Sequence, residues 1–121
     1  MIQLQGPVKC EVKTSEEKGL GVFATEFIQK DEVIEECHII EVDNLRHPSN
    51  LQRYLFSYPK NTNNFRVLPL GFGCIYNHSP NPNATWIDHP SIKAFIFVAI
   101  KDIQQGEEIC TFYGNIEFPK K

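Results

Sequence analysis

GCIYNHSPNPNAT, residues 73–85, is the stretch whose reading decides the fold. Apolar Cys74-Ile75-Tyr76 runs straight into Asn77-His78-Ser79, and two Pro-Asn steps follow. A strand normally ends in one turn signal, so the density of amides, with an imidazole and two prolines, asks for a reason. A capped turn is the plain one, because asparagine readily bonds its own backbone. Asn77-His78-Ser79 and Asn83-Ala84-Thr85 also match the N-glycosylation acceptor pattern. The N-terminus, MIQLQGPVKCEVK, lacks the charged-then-apolar order of a secretory signal. The expected setting is therefore intracellular and soluble, in cytoplasm or nucleus, and the asparagines need a role other than carrying sugar.

The composition is consistent with that setting. The 121 residues fit one domain with one core, with 41% hydrophobic and 22% charged residues. A net charge of −3 does not favour nucleic acid as a partner. A mildly acidic surface still suits a basic peptide or a lysine side chain. No apolar run approaches the roughly 20 residues that span a bilayer. Cys10, Cys37, Cys74 and Cys110 are 27, 37 and 36 residues apart with no C-x-x-C pair, so structural zinc and disulfides are not expected.

Strand character dominates. Val8–Val12 is short and alternating, Val22-Phe23-Ala24 follows Gly19-Leu20-Gly21, and Val33–Val42 is rich in β-branched residues. In Ile92–Ile100, alternate residues from Ile92 share one face while Phe95 and Phe97 take the other, which predicts a strand covered on both sides. Ser49 is placed to cap one short helix carrying Leu51, Tyr54 and Leu55, with Pro59 ending it. Lys60–Asn64 and Ser79–Pro82 read as loop and turn. Residues 24–34 also echo residues 99–109: five of eleven aligned positions are identical, and each segment leaves a strand, turns and enters another. Two related β corners around a pseudo-twofold axis are the expectation, within a mostly β domain of short strands.

Four patches remain that carry chemistry: Lys18-Gly19-Leu20-Gly21, Tyr54-Leu55-Phe56, Tyr76 to Ser79 with Asn83, and Gly106 to Ile109 with Tyr113-Gly114. Each alone has an ordinary explanation. The G-x-G is a tight turn without the continuation of a dinucleotide fingerprint, and a tyrosine near a C-terminus is more often packing. Glu107 and Glu108 are no acid/base pair, because neighbours on a strand point to opposite faces; solvation or one structural hydrogen bond is expected of them.

In order and spacing together, these patches resemble the SET-domain family of protein lysine methyltransferases, from about Val8 to Gly114. Lys18 to Ala24 is similar to the family's first glycine motif, Tyr54 to Phe56 to its tyrosine motif, Asn77-His78-Ser79 with Pro82 and Asn83 to N-H-S-x-x-P-N, and Gly106 to Gly114 to the closing G-E-E-[LI]…Y-G element. The length resembles minimal viral and bacterial members. The resemblance implies a β-clip-like SET fold of short strands in small sheets, with one short helix and a C-terminal pseudoknot, as a single domain over 1–121 with a core near 8–114. It implies S-adenosyl-L-methionine as methyl donor, no metal, and a protein substrate presenting a lysine, such as a histone tail, from the opposite face.

By family position, Tyr113 is the catalytic hydroxyl and Tyr54 a second one in the lysine channel. Donor contacts fall to Lys18, Gly19, Leu20, Gly21, Tyr54, Asn77, His78 and Tyr113. The Asn77 carbonyl suits the donor's ammonium while its NH₂ bonds nearby backbone. An imidazole has the pKa of a general base, yet His78 in the family offers backbone to the adenine and its ring to the pseudoknot. Asn83 is expected to tie the crossing loops. Many family members carry a cysteine-rich, zinc-binding segment after the core; residues 115–121 hold no cysteine, and Phe118 among them is the candidate to cover the adenine or wall the channel. Thr111 stands where the family has Phe or Tyr. So bare a domain is expected to form a homodimer. The rival expectation is a non-catalytic β-clip module that holds a peptide or small ligand.

Overall fold

The computed structural model describes residues 3–15, 19–42 and 53–112. Among them the chain forms nine strands: β1 (Cys10–Ser15), β2 (Gly19–Ala24), β3 (Val33–Glu41), β4 (Phe56–Tyr58), β5 (Phe65–Pro69), β6 (Asn77–His78), β7 (Ala84–Asp88), β8 (Ala94–Ala99) and β9 (Glu108–Thr111). They make two sheets, ordered β1-β2-β9-β6 and β4-β5-β3-β8-β7. The mostly β architecture of small sheets expected from the sequence is borne out. Among the described residues no helix is long and apolar enough to cross a membrane.

Details differ where local backbone intervenes. The first strand starts at Cys10 rather than Val8, because Lys9 takes a left-handed φ of 59° that an extended strand cannot contain. Ser49 and Leu51 lie outside the described residues; Arg53 and Tyr54 form a 3₁₀ turn, and Phe56 has already entered β4. In β8, Phe95 and Phe97 are fully buried, but Ile96 and Val98 are only half-buried and Ile100 is exposed. The second face of that strand is therefore partly open, not covered as its all-apolar pattern predicted. The phenylalanine face supplies an aromatic core in which Tyr76 stacks on Phe97 with centroids 4.6 Å apart.

The five-stranded sheet curls until its edge strands meet through side chains. Phe56 of β4 packs edge-on against Trp86 of β7 at 4.8 Å. Lys60, just beyond β4, donates its backbone N–H to both Asp88 carboxylate oxygens at 3.0 and 3.1 Å. Its ammonium donates to the Trp86 carbonyl at 2.6 Å and Thr85 Oγ1 at 3.1 Å, and lies 4.4 Å from the centre of the Trp86 ring. Burial holds that ammonium below the ordinary lysine range, with Asp88 opposing the shift.

The repeated segments of the sequence are the hinges of the fold, and their hydrogen bonds exchange across a pseudo-twofold axis. Ile28 and Ile103, equivalent in the alignment, bond each other in both directions at 2.9 and 2.8 Å. Asp31 N–H donates to the Ala99 carbonyl, and the equivalent Gly106 N–H to the Ala24 carbonyl, both at 2.8 Å. Ala99 N–H donates to Glu32, and Ala24 N–H to Glu107, at 3.0 and 2.9 Å. Each turn is capped alike: Glu32 Oε1 accepts from Gln29 N–H at 3.0 Å, and Glu107 Oε1 from Gln104 N–H at 2.6 Å. Even the strained position repeats, as Asp31 has φ 75° and Gly106 φ 89°.

No atom lies within 4 Å of a Cβ built on Gly106, so an alanine there meets only the conformational penalty of positive φ. Gly106→Ala is expected to lower the unfolding free energy by about 1–2 kcal/mol, read by urea denaturation. Asp31→Gly, which relieves the equivalent position, is expected not to lower it.

Candidate functional site

Strand β9 assembles the site. On one edge it pairs antiparallel with β2, with Val22 opposite Ile109 and Phe23 opposite Glu108. On the other it pairs parallel with β6, with Asn77 opposite Cys110 and His78 opposite Thr111. Two segments far apart in sequence, Gly19-Leu20-Gly21 and Asn77-His78, are thereby brought to one strand. Beyond β6 the chain stays on β9: Ser79 N–H donates to the Thr111 carbonyl at 2.9 Å and Asn83 N–H to the Cys110 carbonyl at 3.2 Å. The Asn83 side chain then bonds the β9 backbone twice, donating to the Glu108 carbonyl at 2.8 Å and accepting from Cys110 N–H at 2.9 Å. Tying crossing segments together was the expected work of Asn83.

Asn77 is almost fully buried, and its amide nitrogen has two acceptors, the Leu20 carbonyl at 2.9 Å and Glu108 Oε2 at 2.7 Å. A carbonyl and a carboxylate only accept, so the amide cannot be turned around without losing both bonds. Its Oδ1 is left as the acceptor without a bond among the described residues. Gly21 completes the arrangement. A Cβ there would lie 2.5 Å from Glu108 Oε2, 3.1 Å from Asn77 Nδ2 and 3.2 Å from Phe23 Cε1. A side chain there would push the Glu108 carboxylate aside, so glycine lets it approach Asn77, while Gly19 is favoured by its φ of 75°.

Glu108 fits its sequence expectation of solvation or one structural hydrogen bond, and the structure adds the partner. The expectation of a structural hydrogen bond held for Glu107, which caps its turn, and for Glu108. What was missed is that the partner of Glu108 is Asn77. Strand alternation separates the two glutamates, but only the parallel register of β6 and β9 says which of them meets Asn77.

His78 follows Asn77 on β6, where neighbouring side chains alternate faces, and its ring lies 5.2 Å from that of Phe112. Thr111 is fully buried, and its hydroxyl has no hydrogen-bond partner among the described residues. Leu20 and Phe112 are about half exposed beside this cluster. Tyr54 sits in the turn before β4, on the other sheet. Lys18, Tyr113 and Phe118 lie outside the described residues. A separate groove of about 620 Å³ opens between residues 3–7, β3 and the turn after β5; its walls include Leu4, Pro7, Glu35, Cys37 and Leu70 but not Gly19, Gly21 or Asn77. Among the described residues no three His, Cys, Asp or Glu side chains converge as a metal site.

Comparison with known proteins agrees with the resemblance read from the sequence. The family model described as SET domain matches residues 19–114. A Schizosaccharomyces pombe protein named histone-lysine N-methyltransferase, H3 lysine-37 specific, is 26% identical over 110 residues, covering 87% of this chain and 73% of that one. The crystal structure of a Plasmodium falciparum protein described as a histone methyltransferase superposes with a TM-score of 0.74 at 37% identity, covering 96% of this chain and 98% of the other.

Asn83→Ala removes the partners of Cys110 N–H and the Glu108 carbonyl together. Leaving two backbone groups unsatisfied is expected to cost about 2–4 kcal/mol, measured by urea denaturation at unchanged m-value.

Proposed function

Because the chain belongs to the SET-domain family and is a protein-lysine methyltransferase, we propose that residues 1–121 form one domain that takes its methyl group from S-adenosyl-L-methionine and places it on a lysine of a histone tail. The observation that carries the donor assignment is the amide of Asn77, whose nitrogen is fixed by Leu20 and Glu108. Its Oδ1 is thereby turned to accept from an ammonium. The residues fit the donor: two glycines flank a half-exposed Leu20, and Asn77 Oδ1, unbonded among the described residues, suits an α-amino group. When bound, the donor supplies a sulfonium methyl group activated toward displacement.

The protein's own work is to orient and to desolvate. In our reading Gly19, Leu20 and Gly21, with Lys18 before them, give backbone to the donor, His78 gives its backbone to the adenine, and Phe118 covers that ring. A target lysine must lose its proton before it can attack, and burial in a narrow apolar channel disfavours the ammonium form. Tyr113 and Tyr54 contribute the hydroxyls of that channel, Tyr113 next to the transferring methyl through weak C–H···O contacts. Alignment of the reacting atoms then supplies much of the rate.

A histone tail is favoured as substrate by the similarity to the fission-yeast enzyme named for lysine 37 of histone H3, and a net charge of −3 suits a basic peptide. In this reading the protein works in the nucleus, where histones are. The exposed Leu20 and Phe112 beside the site support a second copy of this chain as its cover, hence a homodimer.

Tyr113→Phe is expected to slow methylation of histone H3 by about 100-fold or more, followed by mass spectrometry with labelled donor; an unchanged rate refutes the catalytic role. Gly21→Ala displaces the Glu108 carboxylate from Asn77 without a positive-φ penalty. It is expected to weaken donor binding by about tenfold in calorimetry, with little change in melting temperature.

A further inference from the structure

The connection between β5 and β6 is built down onto one buried carboxyl group. Glu35 is 1% exposed. Its Oε1 accepts from the Tyr76 hydroxyl at 2.7 Å, and its Oε2 from Phe72 N–H at 3.3 Å. Burial raises the carboxyl above its ordinary range, against the lowering effect of the Tyr76 and Phe72 bonds. Two glycines let the turn close this tightly. A Cβ on Gly71, which has φ 67°, would lie 2.7 Å from Glu35 Oε2, and one on Gly73 would lie 2.6 Å from Pro69 Cβ and 3.1 Å from Cys37 Sγ. The turn bonds itself through Gly73 N–H to the Leu70 carbonyl and Ile75 N–H to the Phe72 carbonyl, at 3.2 and 2.8 Å.

The turn ends on Tyr76, and the next residue is Asn77. Among the described residues, strand β6 has two residues and lies at the edge of its sheet, with β9 as its one strand neighbour. Beyond Asn77 the segment is anchored on β9 by Ser79 and Asn83; before Asn77 the anchor is Tyr76. Tyr76 is held firmly. Its ring is stacked on Phe97 and its hydroxyl on Glu35, with no exposed surface. A Leu and a Phe in place of this pair would fill the same core without burying a polar group, which costs free energy unless fully bonded. What the polar pair adds is direction: one distance from β3 to the residue before Asn77.

We propose that Glu35 and Tyr76 are positioning residues for the donor site, clamping the turn 70–75 to β3 so that the Asn77 amide meets Leu20 and Glu108. The functional half of this inference rests on the reading of Asn77 as the donor's ammonium acceptor; the structural half does not.

Tyr76→Phe removes the clamp's hydroxyl, and Glu35→Met with Tyr76→Phe removes the whole polar pair without stranding a carboxyl. Phe56→Leu, at the β4–β7 seam, is the control for stability loss away from the site. Hydrogen–deuterium exchange of the donor-free proteins is expected to be about tenfold faster over residues 77–83 in both clamp variants and unchanged there in Phe56→Leu. S-adenosyl-L-homocysteine is expected to bind both clamp variants about tenfold more weakly and the control as tightly as the parent. Asn77→Ala separates the two halves. If it weakens binding while the clamp variants bind like the parent, the clamp's role is overturned. If it leaves affinity intact while exchange is accelerated in the clamp variants, the donor-site reading is overturned and the structural clamp stands. Unaccelerated exchange in both clamp variants overturns the clamp itself.

Discussion

The carboxamide of Asn83 stands in for a strand. Strand β9 is paired with β2 along one edge; along the other, among the described residues, its ladder is the two residues of β6, followed by single backbone bonds from Ser79 and Asn83. Buried backbone groups left there would be costly. One asparagine side chain, donating to the Glu108 carbonyl and accepting from Cys110 N–H, reproduces the bonding of a strand residue. With that edge satisfied, β9 holds a fixed place between two segments more than fifty residues apart. The meeting of Gly21, Asn77 and Glu108 is a consequence.

The rest of the fold makes that place rigid. The two corners exchange equivalent hydrogen bonds, so β2 and β9 are positioned by the same device that positions β8 and β3. Displacing one corner would break the bonds of both. On the far side, Phe56, Trp86 and Lys60 close the five-stranded sheet on itself by side-chain contact, where no backbone ladder joins the edge strands β4 and β7. The aromatic core inside that curl includes Tyr76, whose polar end is fixed on Glu35. The site side and the core side of the residues 76 and 77 are thus set by different neighbours, as strand alternation requires.

How much of this was legible in the sequence follows from the range of each interaction. Strand β8 was visible because its pattern is local, and the paired corners because the chain repeats its own solution at residues 24–34 and 99–109. The short strands β4, β5 and β7 carry too few residues for a period to emerge. The role of Asn83 could be read from its place in a family motif. The partnership of Asn77 with Glu108 could not, since it depends on a parallel register between strands 31 positions apart. Nor could the Glu35–Tyr76 clamp, because a glutamate in an apolar strand looks like a surface position until the turn above it is seen to fold onto it. Partial exposure of the Ile96 and Val98 face was likewise invisible, since apolar residues on a strand do not reveal how far a neighbouring layer extends.

The central claim is that the fold fixes the Asn77 amide in one orientation to receive the methyl donor. A crystal structure with S-adenosyl-L-homocysteine tests it most directly. The account predicts the ligand's amino nitrogen within hydrogen-bonding distance of Asn77 Oδ1, with Asn77 Nδ2 still donating to Leu20 and Glu108. Ligand density away from Gly19–Gly21 and Asn77, or an Asn77 side chain released from Glu108, would contradict it.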